Sequence, residues 1–521
     1  MIKLLTSVVI IVLAVGILYS FLIKTPTNQT QINQSSGKPT KKVVMIIIDS
    51  LMDQPLQKAI HDGKAPTFKF LMEQGRYYPQ MVSSFPTMSV SIDSTLLTGT
   101  YPDKHKVPAL VWYDEKEKQF ISYGSAAKEI LKLGPKQVFN NSLFHLNHKH
   151  LSNQVRTIHE ELEGKTASVN TLVYRGKQEK PLNTPRILNM LGYLKEDDVV
   201  LGPDYFSYGL LSKIKPNNKY IHIWEAFGFN DHFAIDELKY LIENQSLPAF
   251  SLIYLSDNDK EVHKKGDQSI KGIEKADKKL EEVFQLYKTW EDATQDTVWI
   301  IMGDSGQTFI ENNKNESLID LPKLLANYKI HKISEPIQES DQIVLGLNER
   351  MSFIYLLDKE IQKENIVMRL IQDSRIDHIA WLDGNMVRVA SGDYQEALSF
   401  QPGGPLMDPY GQSWLVEGNL QILDLTVNDK NEIAYSSYPD GLARLYSSFF
   451  SHEGNYLVVN AKPGFEFVGE GSPTHVGGAS HGSLHKDDTH FPMLVVGTEL
   501  EPINERILDL KEWIIRIVKD E

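Results

Sequence analysis

The sequence contains no cysteine. That removes disulfides, thiolate metal sites and cysteine nucleophiles together. Metal or covalent chemistry is left to Asp, Glu, His, Ser and Thr. An excess of positive charge is also missing: 54 Lys and Arg stand against 68 Asp and Glu, for a formal net charge of −14. Such a chain offers no electrostatic footprint for a phosphate backbone, so duplex nucleic acid is not expected as a partner. An anionic small molecule is not excluded, because a bound metal inverts the local field. Internal repeats are absent too. The 521 residues, 41% hydrophobic and 23% charged, suit one large domain with insertions, or two domains.

One long apolar run is present, at residues 4–23 between Lys3 and Lys24. About 20 such residues span a bilayer as a helix. A cleaved signal peptide is the alternative, but no small-x-small pattern ends the run. The expectation is a transmembrane anchor over 1–24, a flexible polar linker over 25–42 and a catalytic domain over 43–521. The protein would then be a single-pass membrane protein, with its catalytic domain outside the cell membrane.

Residues 43–48 (VVMIII) form an unbroken apolar run ending in Asp49. That is the signature of a central parallel strand buried on both faces. The same pattern returns at 250–255 (FSLIYL), 297–302 (TVWIIM) and 491–497. Helical spacing is read at 67–74, at 270–287 and, as a closing amphipathic helix, at 501–519. Alternating strands and helices predict an α/β sheet. Two long stretches, near 111–245 and 310–450, carry few chemical motifs and read as insertions that cap or flank the site.

Four loops that follow or border these strands carry acids or histidines. They are Asp49; residues 257–266 (DNDKEVHKKG); residues 303–307 (GDSGQ); and residues 479–483 (ASHGS) followed by 487–492 (DDTHFP). In open α/β sheets, ligands bind beyond the carboxyl ends of the strands. Asp259 and His263 are four residues apart, so on a helix both face one side, as two ligands of one metal require. Between the first two loops, 85–91 (FPTMSVS) runs into a short helix closed by Gly99. Hydroxyls at a helix N-terminus sit beside exposed N–H groups and the positive dipole end, which suit a phosphate.

This order of motifs, with the Thr98-Gly99-x-Tyr101-Pro102-x-x-His105 block, resembles the type I phosphodiesterase/nucleotide pyrophosphatase family of the alkaline phosphatase superfamily. The resemblance covers about residues 43–110, 250–310 and 475–500. It implies an alkaline-phosphatase-like three-layer α/β/α sandwich. It also implies two divalent metals, usually zinc, and hydrolysis of phosphodiester or pyrophosphate bonds through a covalent phospho-enzyme. A gapless count back from Thr98-Gly99 puts the family nucleophile on Ser89, with Thr87 as fallback. Asp49, Ser89 and Asp304 would hold one metal; Asp259, His263 and His481 the other. The expected partner is a small phosphate ester or a phosphate-containing envelope component.

The sequence departs from the family at three places. The Asp-His-Gly motif is Asp304-Ser305-Gly306, with His485 and His490 as candidate substitutes for the lost imidazole. The phosphate-holding asparagine falls on Leu110, and the glycine after the first aspartate is Ser50. A neutral hydroxyl is a much poorer zinc ligand than imidazole. A degenerate surface binding protein is therefore the rival reading, and a phosphomonoesterase or phosphonate hydrolase remains open within the superfamily. No Cys/Ser-x-Pro-x-Arg setting occurs, so a sulfatase is not expected.

Overall fold

The computed structural model describes residues 41–520. The expected anchor over 1–24 lies outside the described residues, as does the expected linker save for Lys41 and Lys42. Among the described residues, no helix is long and apolar enough to cross a membrane.

Seven strands build the main sheet: β1 (Lys42–Ile48), β2 (Arg76–Val82), β3 (Thr166–Val169), β4 (Tyr205–Ser207), β5 (Phe250–Leu255), β6 (Thr297–Met302) and β7 (His490–Val496). Their order is β2-β7-β6-β1-β5-β3-β4. β1 pairs in parallel with β5 and β6, while β7 is antiparallel to both β6 and β2. The apolar run of β1 splits by the two-residue strand period. Val43, Met45 and Ile47 enter one core, and Val44, Ile46 and Ile48 enter another on the opposite face. Each such side chain contributes roughly 1.5–3 kcal/mol on burial.

Helix α1 (Ser89–Thr98) and the C-terminal helix Leu510–Asp520 cover the first face with Ile92, Leu96, Leu97, Trp513 and Ile514. Helices Asp53–His61, Pro66–Gln74, Asp231–Glu243 and Lys271–Phe284 cover the second. The result is the expected three-layer α/β/α arrangement. The stretch 111–245 contributes β3 and β4 to this sheet, so only part of it lies outside the central layers. Within 343–461 a second seven-stranded sheet forms, entirely antiparallel. The turn between its strands Ile343–Asn348 and Met351–Leu356 reaches the functional site.

The closing helix begins at Leu510 rather than near 501. The backbone before it is drawn to the sheet edge, where Val82 N–H donates to the Glu505 carbonyl at 2.8 Å. Arg506 is held by Asp440 (3.0 Å) and Asp509 (2.8 Å). Pairing with an open strand edge outcompetes a first helical turn.

Candidate active site

The site lies beyond the carboxyl ends of β1, β5 and β6, where the sheet leaves a crevice. Asp49 directly follows β1. Ser50 then takes φ 56°, the left-handed region that glycine favours. Its neighbours fix this turn. Ser50 N–H donates to Asp304 Oδ1 at 2.9 Å, and Asn258 Nδ2 donates to the carbonyls of Asp49 (2.9 Å) and Ser50 (3.0 Å). The Ser50 hydroxyl donates to Asp259 Oδ1 at 3.0 Å. A side chain at the family's glycine position is thus tolerated and joins the site.

Asp259 and His263 stand one turn apart on helix α2 (Asp257–Lys265), with His263 Nε2 3.2 Å from Asp259 Oδ1. His263 Nδ1 bonds the Ala479 carbonyl at 2.8 Å, and His481 Nδ1 bonds the Thr87 carbonyl. With Nδ1 so engaged, Nε2 is the atom each ring offers to a cation. Metal-ligating histidines are commonly oriented in this way by a main-chain acceptor. Donor atoms of Asp259, His263 and His481 lie within 4.8 Å of one another. These residues therefore fit a divalent cation, and two imidazoles with a carboxylate suit zinc. Burial works against charge on Asp259, yet His263 and His481 hold its carboxyl well below the usual range. Burial also opposes charge on His263, but Asp259 and Glu349 push its imidazole up to about 10.

The other half of the site is made of oxygens. Burial, then the charges of Asp259 and Asp304, raises the Asp49 carboxyl well above its ordinary value. Burial pushes Asp304 up to about 6, against the N–H groups of Ser50 and Ser305. In both carboxyls burial and neighbouring carboxylates outweigh what opposes them, the charge of His481 on Asp304 included. The Tyr254 hydroxyl reaches Ser89 and Asp49, and lies 3.4 Å from Asp304 Oδ2. That groups Ser89, the first residue of α1, with Asp49 and Asp304. Thr87 stands beside His481: its Oγ1 accepts from Gly482 N–H at 2.7 Å and its carbonyl holds the His481 ring.

No imidazole completes this half. Ser305 contributes its N–H to Asp304 Oδ1 at 2.9 Å. Among the described residues, no third carboxylate or imidazole closes a tight group of donors with Asp49 and Asp304. His485 pairs with Asp487 at 3.3 Å, and the half-buried His490 is pushed down to about 4 by desolvation. Neither candidate substitute joins a group of close metal donors among the described residues. Leu110 packs against the apolar core, so it offers no polar atom where the family has asparagine.

The family-like block ending in His105 is structural. His105 is fully buried, its Nε2 3.1 Å from Thr95 Oγ1 and its Nδ1 accepting from Val107 N–H at 3.1 Å. Along α1, Ser94 and Thr95 return their hydroxyls to carbonyls one turn back, at 2.7 and 2.9 Å. Gly306 has a steric cause: a Cβ there would stand 2.1 Å from the Asp487 carbonyl oxygen. The fully buried Arg350–Asp488 ion pair pins the same region.

Several site residues escaped sequence reasoning. Gln307 was visible in GDSGQ but carried no role. Its Nε2 lies 2.6 Å from Asp259 Oδ1 and 2.9 Å from Ser50 Oγ, while its Oε1 is buried without a partner among the described residues. Tyr254 was hidden inside an apolar strand. Asp93, buried one turn after Ser89, is pushed up to about 8 by burial and Asp304. Glu349 and His475 lie in segments with no motif; contacts across the fold bring them in.

Comparison with known proteins agrees with this geometry. Human ectonucleotide pyrophosphatase/phosphodiesterase 5 superposes with a TM-score of 0.54 at 14% identity, covering 92% of this chain and 95% of that one. An inactive variant of the murine protein in complex with AMP gives 0.53 at 12%, covering 92% and 95%. Phosphonoacetate hydrolase from Sinorhizobium meliloti, in complex with phosphonoformate, gives 0.53 at 13%, covering 92% and 96%. At such identities these structures establish a shared alkaline-phosphatase-like fold. No curated protein matches the chain by sequence. Residues 43–401, more than half of the chain, match a single family model. The chain belongs to the type I phosphodiesterase / nucleotide pyrophosphatase family, which supports phosphoester hydrolysis as its chemistry.

Proposed function

We propose that the protein is a metal-dependent hydrolase of phosphodiester or pyrophosphate bonds, with Ser89 as nucleophile. The observation that carries this is the position of Ser89. It opens a buried helix and neighbours Tyr254, whose hydroxyl donates to Asp304 Oδ2 at 3.4 Å. The tight Asp259, His263 and His481 group supports a cation in the same crevice. Divalent cations held by Asp259, His263 and His481, and by Asp49, Ser89 and Asp304, would lower the pKa of the attacking hydroxyl and neutralise developing charge.

In this reading Ser89 Oγ attacks phosphorus in line and the bond to the leaving oxygen breaks, giving a phosphoserine. Water then attacks that phosphorus and releases Ser89. The first-turn N–H groups of α1 favour the anionic phosphoryl group. Tyr254 orients the Ser89 hydroxyl. Leu110 supplies no polar contact, which argues against a nucleotide held as in the nucleotide pyrophosphatases.

Ser305 favours a second reading: a relative that keeps the fold and binds phosphate compounds with little turnover. The two part on one experiment with the detergent-solubilised full chain. Zinc content is measured beside hydrolysis of bis-p-nitrophenyl phosphate, p-nitrophenyl phosphate and a phosphonate. Diester turnover that Ser89→Ala removes supports the enzyme; bound zinc without Ser89-dependent turnover supports the degenerate relative. We also propose that the 4–23 run anchors the protein in the cell membrane with the domain outside. Protection of that domain from added protease on intact cells would contradict this.

A further inference from the structure

We propose a second cation seat on the outer flank of the centre, held by His263, Glu349 and His475. Glu349 and His475 lie outside the ligand set that the family resemblance implies, and His263 is shared with it. Donor atoms of these three side chains lie within 4.8 Å of one another. They come from three separate segments: helix α2, the two-residue turn Glu349-Arg350, and the loop before Ala479–Ser480. Their convergence is a product of the fold, and no local motif announces it.

The imidazoles form a row. His263 stacks on His475 with ring centroids 4.2 Å apart, and its centroid lies 5.4 Å from that of His481. Two imidazoles and a glutamate form the set that holds zinc in several hydrolases. The outer members are held in place. Glu466, itself buried, accepts from the His475 main-chain N–H at 2.6 Å and bonds its Nδ1 at 2.9 Å. A carboxylate behind a histidine is the usual outer partner of a metal ligand. Glu349 takes φ 57°, its carbonyl accepts from Phe467 N–H at 2.8 Å, and its Oε2 accepts from Ser480 Oγ at 2.7 Å.

His263 belongs to both the inner and the outer set. Its Nδ1 is committed to the Ala479 carbonyl, so a single nitrogen serves either position. The two positions are therefore alternative seats for one ion. All three outer-seat side chains are partly open, at 18% (His263), 13% (His475) and 11% (Glu349), whereas the inner seat joins Asp259, at 20%, to the buried His481. An ion arriving from solvent meets Glu349 and His475 and passes along the imidazole row to Asp259 and His481. This role as an entry step rests on the proposed metal-dependent function; the seat stands on its own residues.

The test uses the full chain in detergent, stripped with EDTA and reloaded with zinc. Zinc is counted by mass spectrometry, and its uptake is timed against a chromophoric chelator. Asp259→Asn/His481→Ala should keep the wild-type zinc count, because the ion moves to the outer seat, and adding Glu349→Gln/His475→Ala should lower that count by one. Glu349→Gln alone, which keeps the side-chain shape in an otherwise intact chain, should slow zinc uptake roughly tenfold. The proposal is overturned if folded Asp259→Asn/His481→Ala holds one zinc fewer than the wild type, which would make the cluster an ion-paired network only. Unchanged uptake by Glu349→Gln overturns it as well, even if the multiple variants fail to fold. Zinc on the outer seat in a protein without turnover would sink the functional proposal and leave the seat standing.

Discussion

Asp304→Asn should stabilise the metal-free protein and, in the same molecule, weaken its response to zinc. Asp304 is fully buried, and burial pushes its carboxyl from the ordinary 3.8 up to about 6. An acid whose folded pKa is raised imposes no cost below its unfolded value. The cost grows as pH climbs from about 4 towards 6 and is complete above that. The rise corresponds to about 3 kcal/mol at neutral pH. Asparagine removes the charge, while its amide oxygen still accepts from the N–H groups of Ser50 and Ser305. Melting in EDTA at pH 7.5 should therefore rise by several degrees in the variant, and at pH 4 the difference should vanish. Zinc should reverse the order, because an ion at 1,000 times its dissociation constant stabilises the wild type by about 4.1 kcal/mol, more than the gap. A variant less stable than wild type in EDTA at pH 7.5, or a gap that does not close on acidification, would refute this electrostatic account.

Three further outcomes follow from the same geometry. Ser305→His should raise zinc content and diester turnover by roughly tenfold or more, since it returns an imidazole to the half-site that lacks one; unchanged metal content would show that oxygens suffice there. Arg350→Met should cost about 3–5 kcal/mol in urea unfolding by stranding the buried Asp488 carboxylate, and Arg350→Met/Asp488→Leu should recover most of that loss. Gly306→Ala should lower both melting temperature and turnover, because the new methyl carbon would meet the Asp487 carbonyl oxygen at 2.1 Å; wild-type values in both would contradict the close approach.

What the sequence revealed depended on how local the signal was. β1, β5 and β6 were legible because strands buried on both faces must be apolar at every position, and each ends in the loop that bears Asp49, Asp259 or Asp304. The Asp259/His263 pair was legible from helical spacing alone. β3 and β4 were not: they are short, and they lie inside a stretch with mixed patterns. The start of the last helix was misplaced because pairing of Glu505 with the edge of β2 is a tertiary competitor that helical periodicity does not register. Glu349 and His475 reach the site from a hairpin turn and a loop, with no spacing to betray them. Tyr254 was masked by its own apolarity, since in a run such as FSLIYL a tyrosine reads as filler until its hydroxyl is seen among three site residues. The choice of Ser89 over Thr87 rested on a count from Thr98-Gly99. In the structure Ser89 neighbours Tyr254, and Thr87 Oγ1 accepts from Gly482 N–H.

The most direct test of the functional proposal compares wild type with Ser89→Ala at matched zinc content, both zinc-loaded, on bis-p-nitrophenyl phosphate. The account predicts turnover by the wild type and its loss by about three orders of magnitude or more in the variant, as expected when a covalent nucleophile is removed. Equal turnover by the two proteins, or none by a wild type that carries its zinc, would contradict it.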